Sequence, residues 1–314
     1  MKFPVAGSIQ DIIKGSVATL ALFLAYVSLP LAGMLAGLFA PLPGAFYTLK
    51  SGKGAGLAIV LVSAVVLALV SDVTTTVFYL LQCAVISLVL PLFLRRNMGG
   101  ARALASTTAV SMLLVVAAAA TYGIVNGVDL HGLVQKGIET SIAQTAALYE
   151  KSGFKGEDLK SLQEAMTQAG AIIGRIYPAL VIVGLATIAG VTLFFLQRLA
   201  RRLPQPLEVG DFRQFRNPEQ LVWVLIVAGF AMLVPNSMAT AAALNVLIVI
   251  LSLYFMQGMA VIAHFFKRFA TPPFVRVLFY LFLGLQPYLA IAVTILGLFD
   301  LWGNFRTPKT PENL

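Results

Sequence analysis

Charge is almost absent from nine long stretches of this chain, and that limits what it can fold into. The apolar segments lie near residues 15–28, 31–48, 55–71, 73–94, 104–125, 171–197, 218–235, 240–266 and 274–301. A bilayer core of roughly 30 Å is crossed by about 20 helical residues, so most of these segments are long enough to span. Within lipid each must be helical, because an open strand would leave backbone amides unpaired. The pattern predicts an all-α fold, a polytopic transmembrane helical bundle of eight or nine spans forming one integral membrane domain over 1–314. Composition agrees: 11% of residues are charged, against about 25% in ordinary soluble domains. The single cysteine, Cys83, lies inside a span as a small lipid- or helix-facing residue, and no internal disulfide can form. The first apolar run continues into the body of the protein without a cleavage site, so it reads as retained.

The first two segments leave two readings. Residues 15–49 carry no charge, and a single helix of that length would measure roughly 50 Å, too long for one crossing. Pro30, Pro41 and Pro43 must interrupt it. A tight helical hairpin is the preferred reading, and one span followed by a re-entrant half-helix is the other.

Between the segments, charge alternates. Lys50 and Lys53 are followed by a turn with only Asp72, then by Arg95, Arg96 and Arg102. The 126–170 connection holds six acids and four lysines, and the 198–217 linker holds Arg198, Arg201, Arg202, Arg213 and Arg216. The turn at 235–239 is uncharged, and Lys267, Arg268 and Arg276 come next. Every second connection is basic, which places the basic loops in the cytoplasm and 126–170 on the opposite face. The net charge of +9 therefore reads as orientation within a bacterial cytoplasmic (inner) membrane. The partner it implies is the lipid bilayer, not nucleic acid. By the same parity, Asp300 at the end of the last segment is expected on the outer face.

The outer connection has helical periodicity. Leu130, Val134, Ile138, Ile142, Thr145 and Tyr149 recur at three- and four-residue spacing, which predicts an amphipathic helix. Gly153 and Gly156 end it. Glu157 and Asp158 then open a second helix leading into the segment near Ala171, and together the two are expected to lie as a cap on the outer surface. In "RRLPQPLEVGDFRQFRNPEQLVW", Asn217 before Pro218 predicts a helix start. Phe212 and Phe215, interleaved with Arg213 and Arg216, suit the headgroup layer.

Chemistry is thinly represented. The stretch "APLPGAFYTLKSGKGAG" invites comparison with a phosphate-binding loop, but Lys53 precedes Gly54, no glycine lies five residues before Gly52, and no strand leads in. It reads as a cytoplasmic turn, with Pro41, Pro43 and Gly44 breaking the preceding helix and Gly54 and Gly56 permitting close helix contact. A broken helix at membrane depth is tolerated where it is buried in protein or lines a cavity, so Pro41, Pro43 and Gly44 are candidate functional positions. His131 and His264 have no second ligand at helical spacing. No metal site, cofactor or enzymatic activity is expected. Polar groups inside the apolar runs remain: Gln82, Asn245, Gln257 and Gln286, with Arg175 near an outer end and Asp300 followed by Arg306. An ionisable residue within a span is a functional candidate, whereas for the amides inter-helix hydrogen bonding is the simpler role. A bend at Gly303 and Asn304 would bring Asp300 and Arg306 together. Gly33 with Gly37, and Ala186 with Gly190, are small-residue packing pairs.

Four stretches, "PLPGAFYTLKSGKGAGLAIV", the 201–223 linker, "YFMQGMAVIAHFFKRF" and "LGLFDLWGNFR", resemble the YybS-type family of bacterial inner-membrane proteins. The closing Gly297, Asp300, Trp302 and Arg306 are the most distinctive element. That family implies an architecture without an established activity. The first half, with its Pro-x-Pro followed by a glycine-started helix, is also similar to the substrate-binding S-components of energy-coupling-factor vitamin transporters. This likeness implies a small-solute transport or binding subunit with a cavity among the early helices and membrane or cytoplasmic protein partners. The alternative is a non-catalytic scaffold or assembly protein of the cell envelope. Pro41, Pro43, Gly44, Gln257, Asp300 and Arg306 are the candidate positions.

Overall fold

The computed structural model describes residues 9–153 and 156–306. The described residues are mainly helical, without strands. Among the described residues, seven helices are long and apolar enough to cross a membrane, or up to eight if one bent pair counts as a span. The contacts divide the chain into two compact units, one from residues up to Gly174 together with Leu180–Val209, the other from Arg175–Ala179 and from Gly210 onward.

In the first unit, α1 (Ile9–Ser28) turns at Leu29 into α2 (Pro30–Phe39), which continues through a short joint into α3 (Leu42–Ser51). Residues 32–51 count as one apolar run long enough to cross a membrane, and α1 packs along α2 and α3, as the hairpin reading requires. Gly33 and Gly37 make the hairpin possible. A methyl at Gly33 would lie 2.6 Å from the Ala25 and Tyr26 carbonyl oxygens, and one at Gly37 would lie 2.7 Å from the Tyr26 ring. Gly52 (φ 100°) turns the chain into α4 (Lys53–Val70). Gly56 permits the close approach of α3 and α4, since a methyl there would fall 1.9 Å from Thr48 Oγ1; the same position at Gly54 is open. Only one of the two glycines therefore has the packing role expected of both.

Asp72 caps α5 (Val73–Tyr79) by accepting from the Thr75 amide at 3.1 Å. A π-turn at Leu80–Ala84 joins α5 to α6 (Val85–Leu94), and the three together make one 22-residue span. Cys83 is buried here, facing helices and not lipid, in a cluster with Phe23, Leu67 and Tyr79. Helix α7 (Gly100–Asn126) ends at the left-handed Gly127. Asp129 then caps α8 (Leu130–Lys151) by accepting from the His131 and Gly132 amides. Leu130, Val134, Ile138, Ile142 and Thr145 form the half-buried stripe, while Tyr149 is exposed and Ala146 is buried in its place. Gly153 and Gly156, both at positive φ, lead into α9 (Glu157–Leu199).

Helix α9 corrects one expectation. Its 43 residues are continuous, and at 1.5 Å per residue they measure about 65 Å, twice the bilayer core. Its first turns therefore leave the membrane along the axis of the span instead of lying flat as a cap. Ile138 and Ile142 of α8 pack on Gly170, where a methyl would come within 3 Å of both side chains. The connection is thus an outward helical arm.

The second unit holds α10 (Leu221–Ala231), α11 (Ser237–Arg268), α12 (Pro273–Leu285) and α13 (Pro287–Gly303). The expected span at 218–235 yields a helix of only 11 residues, about 16 Å and too short to cross as a helix. It begins at Leu221, so Asn217 is not its cap. The expected span at 274–301 is broken at Gln286, where α12 and α13 meet at 108°. Pro287 accounts for the break, since it removes an amide donor and biases the residue before it toward extended backbone.

Candidate functional site

The candidate positions divide between the two units. In the second unit, Gln257, Asp300 and Arg306 come together. The left-handed Asn304 (φ 40°) ends α13 and folds the chain back, so Arg306 NH2 reaches Asp300 Oδ2 at 2.5 Å. Asp300 is fully buried and the Arg306 side chain is 13% exposed. Gln257 Nε2 donates to the same carboxylate oxygen at 3.1 Å, while Gln257 Oε1 accepts from the Asn217 amide at 2.9 Å. Asn217 Nδ2 in turn donates to Leu253 O. Arg306 NH1 donates to the carbonyls of Arg213 (2.9 Å) and Phe215 (2.8 Å). Arg216 donates to Asp300 O and Asn304 Oδ1. Asp300 Oδ1 has no hydrogen-bond partner among the described residues.

This network overturns the parity expectation for Asp300. A single crossing at 274–301 would have carried it to the face opposite the linker, yet the carboxylate is bonded to residues 213–217 of that linker through Arg306 and Gln257, and the Asp300 carbonyl accepts from Arg216. The 108° break is the physical reason. Arg216 and Asn217 were missed as members because their partners lie 84 and 40 residues away in sequence. At the edge of the network, Arg213 pairs with Asp211 at 2.6 Å. The guanidinium hydrogen bonds hold the Asp211 carboxyl below its ordinary range. Phe212 and Phe215 stack 6.3 Å apart.

Asn245 also acts through hydrogen bonds to a neighbouring helix. Pro178 lies inside α9, and Asn245 inserts its amide beside it, accepting from Ala179 N at 2.8 Å and donating to Arg175 O at 2.7 Å. These two groups stand in the relation of an ordinary helical hydrogen-bond pair, so the side chain substitutes for one rung of the ladder. Gln286 is exposed at the α12–α13 break.

In the first unit, Pro41, Pro43 and Gly44 lie at the start of α3, where it meets α6. Ser87 Oγ donates to Pro41 O at 3.0 Å. A methyl at Gly44 would meet that same hydroxyl at 2.9 Å. Pro91 leaves Ser87 O without its helical donor, and Thr48 Oγ1 lies 3.3 Å from that carbonyl and 2.8 Å from Gly44 O. The broken helix is therefore a packed joint between α3 and α6. Lys50 is likewise committed, to Asp11 at 2.9 Å, with Ser51 Oγ donating to the other carboxylate oxygen.

A second group of polar atoms went unread in the sequence, apart from Gln82. Ser16 Oγ and Thr19 Oγ1 on α1, Ser63 Oγ on α4 and Gln82 Oε1 in the π-turn are buried with no hydrogen-bond partner among the described residues. The Tyr79 hydroxyl lies beside Ser63 without a well-formed bond. Helix α1 packs on α4, and α4 packs on α5 and the π-turn. Gly15 is pressed against Ile59, and Phe23 lies edge-on to Tyr79 at 5.2 Å. π-Turns inside helices recur at functional sites. The readable signal was Ser16 and Thr19 at helical spacing with Phe23, which puts two hydroxyls on the buried face.

Residues 17–301 match the family described as "Predicted membrane protein (DUF2232)". The chain belongs to this family. The match covers both groups of polar side chains except Ser16, which lies one residue before it, and Asn304 and Arg306, which lie just beyond its end. It carries the architecture of a multi-pass membrane protein. No curated protein and no solved structure matches the chain.

Proposed function

We propose that this chain is a non-catalytic, multi-pass subunit of the bacterial cytoplasmic membrane that binds a small polar solute among its early helices, as S-components do. The reading rests on Ser16 Oγ, Thr19 Oγ1, Ser63 Oγ and Gln82 Oε1, buried and unpartnered among the described residues. An unsatisfied buried polar group costs about 1–3 kcal/mol, and packing alone gives no reason to retain four. None of the four is charged, so the set favours a neutral solute that donates to the Gln82 carbonyl and exchanges hydrogen bonds with the hydroxyls.

The test is protein purified in nanodiscs, extracted and analysed by mass spectrometry for stoichiometric polar metabolites. Ser63→Ala and Thr19→Val should keep or raise the thermal midpoint, because each removes an unsatisfied group, while losing the metabolite. Wild type without a metabolite, together with destabilised variants, would sink the reading. The scaffold alternative draws on the arm of α8 and α9, whose outward continuation of a span offers a surface for an envelope partner. A stable protein partner recovered without any metabolite would favour it.

A further inference from the structure

The first unit contains a cleft of about 260 Å³ where α3 and α6 end, walled by residues 203–208 of the linker. The linker is held there by its backbone, with the Gly100 amide donating to Val209 O at 2.8 Å. Gly100 admits this approach because a methyl there would lie 2.6 Å from that carbonyl oxygen. Leu94 and Leu207 contribute an apolar floor, and Arg95, Asn97, Gln205 and Glu208 contribute the polar lining. Arg95 and Glu208 line one small cleft, yet neither forms an ion pair with the other or with any described residue. Arg95 uses one nitrogen, NH2, to donate to Thr48 O and Leu49 O at 2.9 and 2.8 Å. A guanidinium has five N–H donors, so this anchor fixes its plane and leaves donors for an anion.

We propose that this cleft binds a phosphate that carries a primary amine, either the headgroup of a zwitterionic phospholipid or a free aminoalkyl phosphate. The guanidinium fork matches two phosphate oxygens. Glu208 accepts from the ammonium, the Asn97 and Gln205 amides serve the remaining phosphate oxygens, and the leucine floor takes the alkyl or glycerol carbons. Arg95 terminates the span of residues 73–94, which sets the cleft at the level of lipid phosphates. Its volume falls below the roughly 300–1,000 Å³ of pockets for drug-sized ligands, which suits a headgroup. The two opposite, unpaired charges favour a zwitterion over a simple anion. This site is separate from the uncharged atoms of α1, α4 and the π-turn, and its test does not depend on them.

The test uses the full chain in nanodiscs of choline lipid, with short-chain phosphatidylethanolamine, short-chain phosphatidylcholine and ethanolamine phosphate as probes. Wild type should bind the ethanolamine lipid on the order of fivefold or more tighter than the choline lipid, since a methylated ammonium cannot donate to Glu208. Glu208→Gln is an exposed substitution that should leave the thermal midpoint unchanged and bring the two affinities within about twofold. Arg95→Lys keeps the charge but not the fork, and it should weaken both lipids alike. Competition by ethanolamine phosphate identifies a free zwitterion as the ligand, and its failure against a bound lipid identifies the bilayer headgroup. Absence of binding by all probes, or discrimination unchanged in Glu208→Gln, overturns the proposal.

Discussion

Removing Arg306 tests whether the closing residues of the chain are held by one coupled network or by several independent contacts. Asp300 is fully buried and its counter-charge is 13% exposed. Taking away one partner of such a pair costs about 3–5 kcal/mol, because the other charge stays buried and uncompensated. Arg306→Met also releases the carbonyls of Arg213 and Phe215, each worth about 1 kcal/mol. The single variant should therefore lose about 5–7 kcal/mol, a large part of the roughly 5–15 kcal/mol that separates folded from unfolded protein. Asp300→Asn keeps the shape but leaves the guanidinium without its counter-charge, at a cost of about 3 kcal/mol. The double variant has no buried charge left and should lose only the carbonyl bonds, about 2 kcal/mol. Titration of detergent-solubilised protein with denaturing detergent would measure the cycle, with folded yield as a second readout. The double variant should be more stable and more abundant than Arg306→Met alone. Single effects that add to the double within about 0.5 kcal/mol would show the groups to be independent and refute the reasoning.

Three further outcomes follow from the structure. Gly258→Ala and Gly297→Ala each place a methyl 1.9 Å from a backbone carbonyl, of Val293 and Tyr254, so each should destabilise by about 1–3 kcal/mol or more. Gly54→Ala has open space and should stabilise its helix by up to about 1 kcal/mol, with thermal melts in one detergent separating the two behaviours. Because Arg213 holds the Asp211 carboxyl low, its contribution is present above the ordinary carboxylate range, about pH 4, and is lost as pH falls through the lowered value. Asp211→Asn should flatten that acid limb in a thermal midpoint series. Cysteines at positions 152 and 205 should label from outside and inside respectively, and labelling of 152 only after the cytoplasm is opened would reverse the assigned orientation.

Local chemistry was legible in the sequence, and distant pairing was not. The stripe from Leu130 to Thr145, the ends at Gly153 and Gly156, and the bend at Asn304 that joins Arg306 to Asp300 all depend on residues within a few turns of one another. Hydropathy located the apolar stretch at 218–235 but could not show that only 221–231 is helical, since apolarity reports on lipid and not on backbone bonding. The break at Gln286 had a readable signal, the proline that follows it, which the long apolar run obscured. The membership of Asn217 and Arg216 in the Asp300 network depends on partners 40 and 84 residues away, and nothing in their neighbourhood announces it. Gly258 and Gly297 were likewise silent, because each is meaningful only against the other's helix. The uncharged group on α1 and α4 escaped because serine and threonine in a span ordinarily bond the preceding turn, and whether they do so is decided by the fold and not by the local sequence.

The Asp300 network also sets an order of events on the ribosome. Arg216 and Asn217 are synthesised well before the groups that satisfy them, and 84 residues separate Arg216 from Asp300. At elongation rates of about 5–20 residues per second, Arg216 waits roughly 4–17 s for Asp300, while Asn217 waits roughly 2–8 s for Gln257, 40 residues on. During that interval the second unit cannot reach its final arrangement, because Gln257 has one face of its amide uncommitted until the last helix emerges. A chain interrupted at Leu298, two residues before Asp300, would carry the apolar stretches of the second unit yet retain unmatched polar groups beside α11.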